Sequence, residues 1–162
     1  MTDDSGAGGL GDDGDDLRRV ADYQFGAGAG ALLFPQDDDY EVKRSSSGRP
    51  SQVLVDGGRL VTLGVDGRFT LGLEGGRRLA GLDHPKNRVV VGDDSEPFVR
   101  EGKNTFAKFV TEADPEIRPG DEVLVVHREG RLLAVGRAEL SADAMLDFDA
   151  GMAVQVRDGA DE

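Results

Sequence analysis

The first recurring pattern of hydrophobic and polar positions lies between residues 17 and 33. The positions at helical spacing are Leu17, Val20, Ala21 and Gln24. They predict one amphipathic helix that leads into a glycine-rich stretch. The glycines of this stretch follow the spacing G-x-G-x-G after a helix, whereas a dinucleotide-binding loop needs G-x-G-x-x-G after a strand. We therefore interpret them as points of close backbone packing.

The next pattern, over residues 51–82, is that of an antiparallel β-meander. Its strand-like runs cover residues 52–55, 59–65 and 68–73. Asp-Gly sequences separate the runs, and these are strong hairpin signals because glycine tolerates positive φ. In the third run, alternate apolar side chains point to one face of the predicted sheet. A short helix over residues 76–82, with Leu79 and Leu82 buried, is expected to close this unit.

The second half of the chain combines short, evenly spaced strands with two brief helices. The predicted strands are residues 88–91, 122–127, 131–138 and 152–157, and the predicted helices are residues 96–100 and a turn that begins at Ser141. Such a pattern is typical of a small barrel. The expected fold class is therefore α+β, with a small N-terminal α/β domain that contains the antiparallel meander, followed by the barrel.

Domain boundaries follow from the same features. Residues 1–16 contain glycines and six aspartates with few large apolar side chains, so we expect a disordered acidic tail there. The segment around Pro85 interrupts the pattern and separates a first domain at 17–84 from a second at 85–158. Residues 159–162 are expected to form a short C-terminal tail.

The charge balance at first argues against nucleic acid as a partner, because 32 acidic residues against 19 basic ones give a net charge of -13. However, aspartates outnumber glutamates by 22 to 10, and arginines outnumber lysines by 15 to 4. This bias resembles that of haloarchaeal-type proteins, so we interpret the acidity as an adaptation to salt. An ordinary acidic protein that avoids nucleic acid is the alternative. Residues 42–80 carry a local net charge of +4, from seven basic and three acidic side chains.

Several classes of chemistry lack the residues they need. The sequence contains no cysteine, which excludes disulfides, thiolate nucleophiles and cysteine-ligated metals. Its histidines, His84 and His127, have no nucleophile beside them in the sequence, so we predict no catalytic residue, metal site or cofactor. No apolar run approaches the roughly 20 residues that span a membrane, and no secretory signal is recognisable. We expect a cytoplasmic protein without a membrane partner.

An ordered set of motifs in residues 88–157 resembles a PUA domain. The motifs are R-V-V-V at 88–91, F-V-R-E-G-K-N-T-F-A-K-F-V at 98–110, I-R-P-G-D-E-V at 117–123 and L-A-V-G-R-A at 133–138. Each motif alone is weak, but their order is specific. In addition, A-D-Y-Q-F-G-A-G-A-G-A-L-L-F at 21–34 and D-G-R-F-T-L at 66–71 resemble the domain that precedes the PUA domain in archaeal archaeosine tRNA-guanine transglycosylases. The resemblance implies a PUA-type pseudo-barrel behind a pre-PUA domain.

In that family the PUA domain grips the tRNA acceptor stem through the groove around its first helix and the following loop. By position, the resemblance implies RNA contacts at Gly102, Lys103, Asn104, Thr105, Phe106, Ala107 and Lys108, flanked by Arg88 and Arg137. Duplex RNA is read through its shape, phosphates and 2′-hydroxyls, so a glycine, polar side chains and cations suit this role. For Phe106 a core position is the favoured interpretation. Arg59 and Arg68, just beyond two hairpin turns, either extend the RNA surface or form surface ion pairs.

These features together predict an RNA-binding protein whose partner is structured RNA, with tRNA expected. The transglycosylase family has a large catalytic barrel with an aspartate nucleophile and a cysteine-containing zinc site, and this chain has neither the length nor the cysteines for them. Our hypothesis is a non-catalytic accessory to RNA modification, working with a catalytic centre on a separate chain. The alternatives are a protein-interaction adaptor, a subunit of a split transglycosylase-like enzyme, and an RNA-modifying enzyme whose catalytic groups meet only in space.

Overall fold

The structure is a computed structural model, and it describes residues 13–36, 38–56, 58–64, 66–81 and 87–160. The chain divides into two compact units, with the division between residues 83 and 84. Each unit has its own sheet and its own buried apolar side chains. In the part of the chain that the structure describes, no helix is long and apolar enough to cross a membrane.

The first unit consists, in its described residues, of an antiparallel sheet and three helices. Its elements are α1 (Asp13–Phe25), α2 (Ala29–Leu33), β1 (Glu41–Arg44), β2 (Pro50–Val55), β3 (Gly58–Leu63), β4 (Phe69–Leu71) and α3 (Leu73–Leu79). The strands lie side by side in chain order, with Val53 opposite Val61 and Thr62 opposite Thr70. This meander forms because short turns join consecutive strands. It leaves β1 and β4 as the edges of the sheet.

Helices α1 and α2 pack together through their backbones. A Cβ atom added to Gly30 would lie 2.4 Å from the carbonyl oxygen of Arg18, so only glycine permits this approach. The backbone N–H of Gly30 donates to the Asp22 carboxylate at 2.7 Å, which adds a polar link between the two helices. This position agrees with the interpretation of the glycine-rich stretch as a region of close packing. The largest fully buried side chains of the unit are Phe25, Leu33, Phe34, Leu60, Phe69, Leu71 and Leu79.

Helix α1 begins at Asp13, which is four residues before the predicted start. The physical reason is the sequence of its first turn, where Asp13, Asp15 and Asp16 place carboxylates beside the unpaired N–H groups of a helix N-terminus. Residues 13–16 are therefore helical and do not belong to an acidic tail. The rest of the expected tail, residues 1–12, lies outside the described residues.

Three further elements of the first unit differ from the prediction. The glycine-rich stretch contains a separate short helix, α2. This helix starts after Gly28, whose backbone is in the left-handed conformation. Strand β1 was not predicted, because an edge strand with exposed charged side chains shows no apolar alternation. Helix α3 begins at Leu73, inside the third predicted strand run, and it buries Leu79 as expected. Leu82 lies outside the described residues.

The second unit contains, over residues 87–160, six strands, two α-helices and one 3₁₀ helix. Its elements are β5 (Arg88–Val91), α4 (Glu96–Arg100), β6 (Thr105–Phe106), the 3₁₀ helix (Ala107–Phe109), β7 (Val110–Ala113), β8 (Glu122–His127), β9 (Leu132–Ala138), α5 (Ala142–Asp147) and β10 (Met152–Gly159). The strand order is β6-β10-β9-β8-β5-β7, and all neighbours are antiparallel except β5 and β8. The two outermost strands, β6 and β7, are joined by the 3₁₀ helix alone. The sheet therefore curls into a nearly closed pseudo-barrel.

Strand β8 lies in the middle of this sheet and is buried at every residue. A strand covered on both faces reads as a continuous apolar run instead of an alternation, which explains the sequence V-L-V-V at 123–126. Large residues of the apolar core around it are Val89, Val91, Val99, Ile117, Leu133, Met145 and Val154. The predicted α+β class, with a meander domain before a small pseudo-barrel, is confirmed.

Strand β10 continues past its predicted end at residue 157 and includes Gly159. Its extension is stabilised by the backbone, because the N–H of Ala160 donates to the carbonyl of Leu133 at 2.8 Å. Ala160 is itself buried. Residues 159 and 160 therefore belong to the barrel and not to a C-terminal tail. Residues 161 and 162 lie outside the described residues.

Candidate nucleic-acid interface

Most of the predicted RNA-contacting residues form one continuous stretch, residues 102–108. This stretch runs from the end of α4 through β6 into the 3₁₀ helix, and we call it the 102–108 segment. Helix α4 ends in a left-handed turn at Gly102, with φ 98°. The N–H of Gly102 donates to Val99 at 2.9 Å and that of Lys103 to Phe98 at 3.0 Å, so the last carbonyls of the helix are paired. A Cβ at Gly102 would meet nothing within 4 Å. This glycine is therefore needed for its φ and not for lack of space.

Strand β10 passes directly against the start of the 102–108 segment. A Cβ atom on Gly159 would lie 2.2 Å from the carbonyl oxygen of Arg100 and 2.6 Å from the backbone nitrogen of Gly102. Real Cβ atoms do not approach other atoms so closely, so a side chain at this position would displace one of the two backbones. The position of the segment thus depends on a glycine that lies more than fifty residues further along the chain.

Three residues of the segment have side chains that face the barrel. Thr105 and Ala107 are buried, and the Ala107 N–H donates to the carbonyl of Gly151 at 2.9 Å. Asn104 is half-buried, and its side-chain oxygen accepts the N–H of Val156 at 3.0 Å. The side chain of Asn104 thus pairs with β10, and the backbone of Ala107 pairs with Gly151, the residue before β10. Thr105 and Ala107 are too buried for their side chains to contact RNA, whereas Asn104 keeps part of its side chain in solvent.

The other side chains of the segment point into solvent. Lys103 and Lys108 are exposed, and 46% of the Phe106 surface is exposed. The favoured interpretation of Phe106 as a core residue is therefore wrong. The reason is the strand geometry of β6, in which Thr105 faces the barrel and the next residue must face outwards. The Lys108 ammonium also lies 5.1 Å from the ring centroid of Phe109, within cation–π range.

Further exposed apolar side chains lie on elements that contact this segment. Met152 of β10 is paired directly with Phe106. Helix α5, which packs against the 3₁₀ helix, exposes about half of Leu146 and carries Phe148, also about half exposed, at its end. Phe98, whose carbonyl accepts the Lys103 N–H, is 55% exposed. Exposed aromatic rings next to lysines give a surface that suits bases and phosphates together.

The two predicted flanking arginines lie at different distances along the sheet from β6. Arg137 of β9 is exposed, and its guanidinium donates to Gln155 on the neighbouring strand β10 at 3.0 Å and to Glu139 at 3.3 Å. It is thus two strands away from β6. Arg88 lies on β5, which β10, β9 and β8 separate from β6, and burial lowers the pKa of its guanidinium. Arg137 fits the role of a flank better than Arg88.

The other two predicted RNA contacts belong to the first unit. Arg59 of β3 is half-buried, and its guanidinium donates to the hydroxyl of Thr62 at 2.7 Å. Arg68 is exposed in the turn before β4, and its backbone N–H donates to the Asp66 carboxylate at 3.0 Å. Arg59 is thus hydrogen-bonded on the sheet of the first unit, whereas Arg68 is exposed in a turn of the same unit.

A cluster of Asp93, Glu96 and His127, with possible metal-binding atoms within 4.8 Å of one another, lies at the end of β8. Sequence reasoning did not find it because His127 lies 31 and 34 residues after the two carboxylates in the chain. The His127 Nε2 lies 2.5 Å from Asp93 Oδ1 and 3.8 Å from Glu96 Oε1. Two carboxylates and an imidazole form a donor set that metals such as zinc accept.

The hydrogen bonds of His127 argue against a metal at this cluster. Its Nδ1 accepts the backbone N–H of Glu129 at 3.1 Å, so Nδ1 carries a lone pair and the ring proton lies on Nε2. A metal between the carboxylates would need the lone pair of that same Nε2. Arg100 and Arg131 also donate to Glu96, and they lower the pKa of its carboxyl group. The cluster is therefore best described as a hydrogen-bonded link between α4 and the end of β8.

Comparisons with known proteins assign both units to families. Residues 87–160 match the family model of the PUA domain, and residues 15–86 match that of the patch-forming domain C2 of tRNA-guanine transglycosylase. The second unit is thus a PUA domain, and the first is a C2 domain. Residues 15–160 thus have the domain order C2 then PUA.

The curated sequence relatives are named tRNA-guanine(15) transglycosylases, and this chain matches only a part of each. The chain is 49% identical over 148 residues to the tRNA-guanine(15) transglycosylase of Pyrococcus furiosus and 46% identical over 151 residues to that of Methanothermobacter thermautotrophicus. The alignments cover 90% and 91% of this chain but 25% and 23% of those proteins. The chain therefore spans about a quarter of the length of the curated relatives it matches.

Solved structures of similar fold also contain both units. A hypothetical protein of Pyrococcus horikoshii superposes with a TM-score of 0.72 at 24% identity, over 93% of this chain and 91% of that one. A PUA domain protein from Thermoplasma acidophilum gives a TM-score of 0.64 at 20% identity, over 92% and 91% of the two chains. At these identities the likeness shows the fold alone.

Proposed function

We propose that this protein binds structured RNA, with tRNA as the expected class, and acts as a non-catalytic accessory to tRNA modification in the cytoplasm. The PUA and C2 domain assignments and the names of the relatives support this proposal. The contacts to RNA are proposed for the exposed face of the 102–108 segment. Arg137 is proposed to extend this face, while Arg88, Arg59 and Arg68 are assigned weaker contributions to duplex binding.

The single observation that carries the proposal is the exposure of Phe106, Lys103 and Lys108 on one short segment, with Phe106 between the two lysines in the sequence. Two of the four lysines of a protein with net charge -13 stand on this one short segment. Lysines that meet phosphates fix the position of the RNA, and the ring offers a stacking surface at a helix end or an unpaired base. Because β10 holds the segment, little conformational entropy would be lost on binding.

The same surface suits binding in concentrated salt. At about 1 M salt the Debye length is only about 3 Å, so long-range attraction or repulsion between the acidic protein and RNA is largely screened. Affinity must then come from close contacts such as ring stacking and direct lysine–phosphate pairs. The aspartate and arginine bias, which predicts a salt-rich environment, is compatible with such contacts.

The test of the site is the affinity of tRNA for the wild type and for Lys103→Ala, Lys108→Ala over a series of KCl concentrations. Loss of two phosphate contacts should weaken binding about tenfold at moderate salt and reduce the slope of log K against log[KCl] by about 2. The control Lys43→Ala, Arg49→Ala removes two positive charges from exposed positions of the β1–β2 region and should change affinity about twofold at most. If the wild type binds no tRNA at any salt, the RNA-binding function is wrong. If both variants bind like the wild type, only the placement of the site is wrong.

The accessory role requires a catalytic partner on another chain. The relatives are named transglycosylases, which supports tRNA modification as the process that this protein serves. Exchange of labelled guanine into tRNA should be absent with this protein alone and should rise when it is added to a catalytic chain from the same organism. Exchange by this protein alone would contradict the non-catalytic assignment. If the protein binds the catalytic chain and tRNA does not change that binding, the protein is an adaptor instead.

A further inference from the structure

The first unit contains a groove that lies between helix α1 and the turn before β4. The helix lines it with Arg19, Val20 and Tyr23, and the turn lines it with Asp66, Gly67 and Arg68. Its volume is about 550 Å³, which is in the range of sites for small organic groups. Tyr23 is 92% exposed, so its ring projects from the helix with almost no protein contact.

Both walls of this groove, which we call the Tyr23 groove, are held in place by hydrogen bonds. The side-chain amide of Gln24, the residue next to Tyr23, donates to the carbonyl of Phe69 at 2.9 Å and accepts its N–H at 2.8 Å. The turn itself is closed by the N–H of Gly64, which donates to the carbonyl of Arg68 at 2.8 Å. A groove with walls set before binding loses little entropy when a ligand enters.

The groove combines an aromatic face with two guanidinium groups. A nucleobase stacks on an exposed tyrosine ring and removes apolar surface of both from water, while arginines next to the ring meet the phosphates on either side of that base. Arg19 is paired with Asp16 at 3.1 Å, but both side chains are at least three-quarters exposed, and such a pair exchanges for a phosphate at little cost. The Asp66 carboxylate accepts the N–H of Arg68, so part of its hydrogen-bonding capacity is used inside the turn.

We propose that Tyr23, with Arg19 and Arg68, forms a stacking site for one unpaired nucleotide of a bound RNA. This inference rests on the proposed RNA-binding function and adds a second, single-stranded contact that belongs to the C2 domain. The exposed ring and the two guanidinium groups favour a nucleotide over an apolar peptide, because a nucleotide offers both a base for the ring and phosphates for the guanidinium groups.

The experiment uses the tyrosines as reporters, because the chain has two tyrosines and no tryptophan. Protein labelled with 3-fluorotyrosine gives one ¹⁹F resonance from Tyr23 and one from the buried Tyr40, and the variant Tyr23→Leu assigns them. On titration with a short single-stranded oligoadenylate, the Tyr23 resonance should shift and the Tyr40 resonance should not. Tyr23→Leu should weaken oligoadenylate binding about 5- to 150-fold, the range found for loss of one base–aromatic stack. Tyr23→Phe, which keeps the ring, should stay within about twofold of the wild type.

Three results would overturn the inference. If the oligoadenylate does not shift the Tyr23 resonance although the protein binds a blunt RNA duplex, the RNA-binding function stays intact and the stacking site is removed. Absence of binding to both the oligoadenylate and the duplex removes the function and the site together. Unchanged oligoadenylate affinity in Tyr23→Leu, combined with lost binding to a purified catalytic chain, identifies the groove as a protein interface.

Discussion

The 102–108 segment and the Tyr23 groove both expose an aromatic ring beside basic side chains, but the chain holds the two rings in place by different means. Phe106 lies on a strand of the PUA domain, and the backbone of β10 presses against the start of its segment at Gly159. Tyr23 lies on a helix of the C2 domain, and one side-chain amide, that of Gln24, ties this helix to β4. One ring is 46% exposed and the other 92%.

This difference in how the two rings are held predicts how each surface responds to substitution and to salt. The segment depends on backbone contacts, so most side-chain changes near it leave its position intact, whereas a change at Gly159 does not. In the groove, the hydrogen bonds that link helix α1 to β4 come from one side chain, that of Gln24. The segment carries lysines, whose contact to phosphates weakens steeply with salt, while stacking on Tyr23 is much less sensitive to salt. The two surfaces should therefore be separable by single substitutions and by titration with KCl.

The largest effect is expected from Gly159→Ala. Its Cβ would lie 2.2 Å from the Arg100 carbonyl oxygen, so β10 or the start of the 102–108 segment must move by about an ångström. We expect the free energy of unfolding to fall by about 3 kcal/mol, as in severe overpacking, and tRNA affinity to fall because Lys103 is displaced. Denaturant unfolding followed by the imidazole resonance of His127, which lies in this unit, measures the first effect.

Gly92→Ala is the matched control for that substitution. A Cβ at Gly92 would have its nearest neighbour, Arg128 Nε, at 3.6 Å, which is ordinary contact. Its stability should stay within about 1 kcal/mol of the wild type. If Gly159→Ala were as stable as Gly92→Ala and bound tRNA as the wild type does, backbone pinning of the segment would be refuted.

The next largest effect is expected from Gln24→Leu. Loss of the amide leaves the N–H and the carbonyl of Phe69 without their present partner on the edge strand β4. We expect the free energy of unfolding of the first unit to fall by about 1–3 kcal/mol, and oligoadenylate affinity to fall with it. Tyrosine fluorescence during urea unfolding reports on this unit, because both tyrosines lie in it.

The control for Gln24→Leu is Gln155→Leu on β10, where the glutamine is exposed and accepts a hydrogen bond from Arg137. This variant should leave the unfolding curve of tyrosine fluorescence unchanged. A Gln24→Leu protein that unfolds like the wild type would mean that the amide does not hold the groove. The Tyr23 groove would then not differ from the 102–108 segment in being held by a side chain.

The smallest effect is expected from Glu96→Gln, which acts on the helix before the 102–108 segment. Hydrogen bonds from Arg131 and Arg100 lower the pKa of Glu96 in the folded protein. The contribution of ionised Glu96 to the free energy of unfolding is therefore complete above the ordinary glutamate pKa of about 4.3. It is lost as the pH falls through the lower pKa of Glu96 in the folded protein. After solvent screening we expect Glu96→Gln to cost at most about 1 kcal/mol at neutral pH. Thermal unfolding from pH 7 to pH 3 should show the difference from the wild type shrinking, and a constant difference would contradict the assignment.

Much of the barrel could be predicted from the sequence, because its strands are short local patterns separated by clear turns. Strand β8 reads as an apolar run, and the ordered motifs of residues 88–138 identify the PUA domain before any contact is known. The first unit was less predictable at its ends. Strand β1 has no apolar face, and the start of α1 at Asp13 depends on a charge–dipole effect that resembles a disordered acidic segment in sequence.

The candidate surfaces were only partly predictable. The position of the 102–108 segment follows from the resemblance, but which of its side chains face solvent follows from the pairing of β6 with β10. Tyr23 was overlooked, although an aromatic residue on the polar side of an amphipathic helix is a usable signal. The link between Asp93 and His127 joins residues 34 positions apart, and no local pattern announces it.

By itself the sequence determined the α+β class, the order of the two domains and most of their strands, with β1, β6 and β7 as exceptions, because these features depend on hydrophobic periodicity and turn residues within about ten positions. Only the tertiary structure decided that Phe106 is exposed, that Gln24 pairs with Phe69 and that Gly159 supports the start of the 102–108 segment. Each of these facts is a contact between residues about 45 to 57 positions apart. Such contacts are set by how whole elements pack, and local sequence patterns carry no information about them.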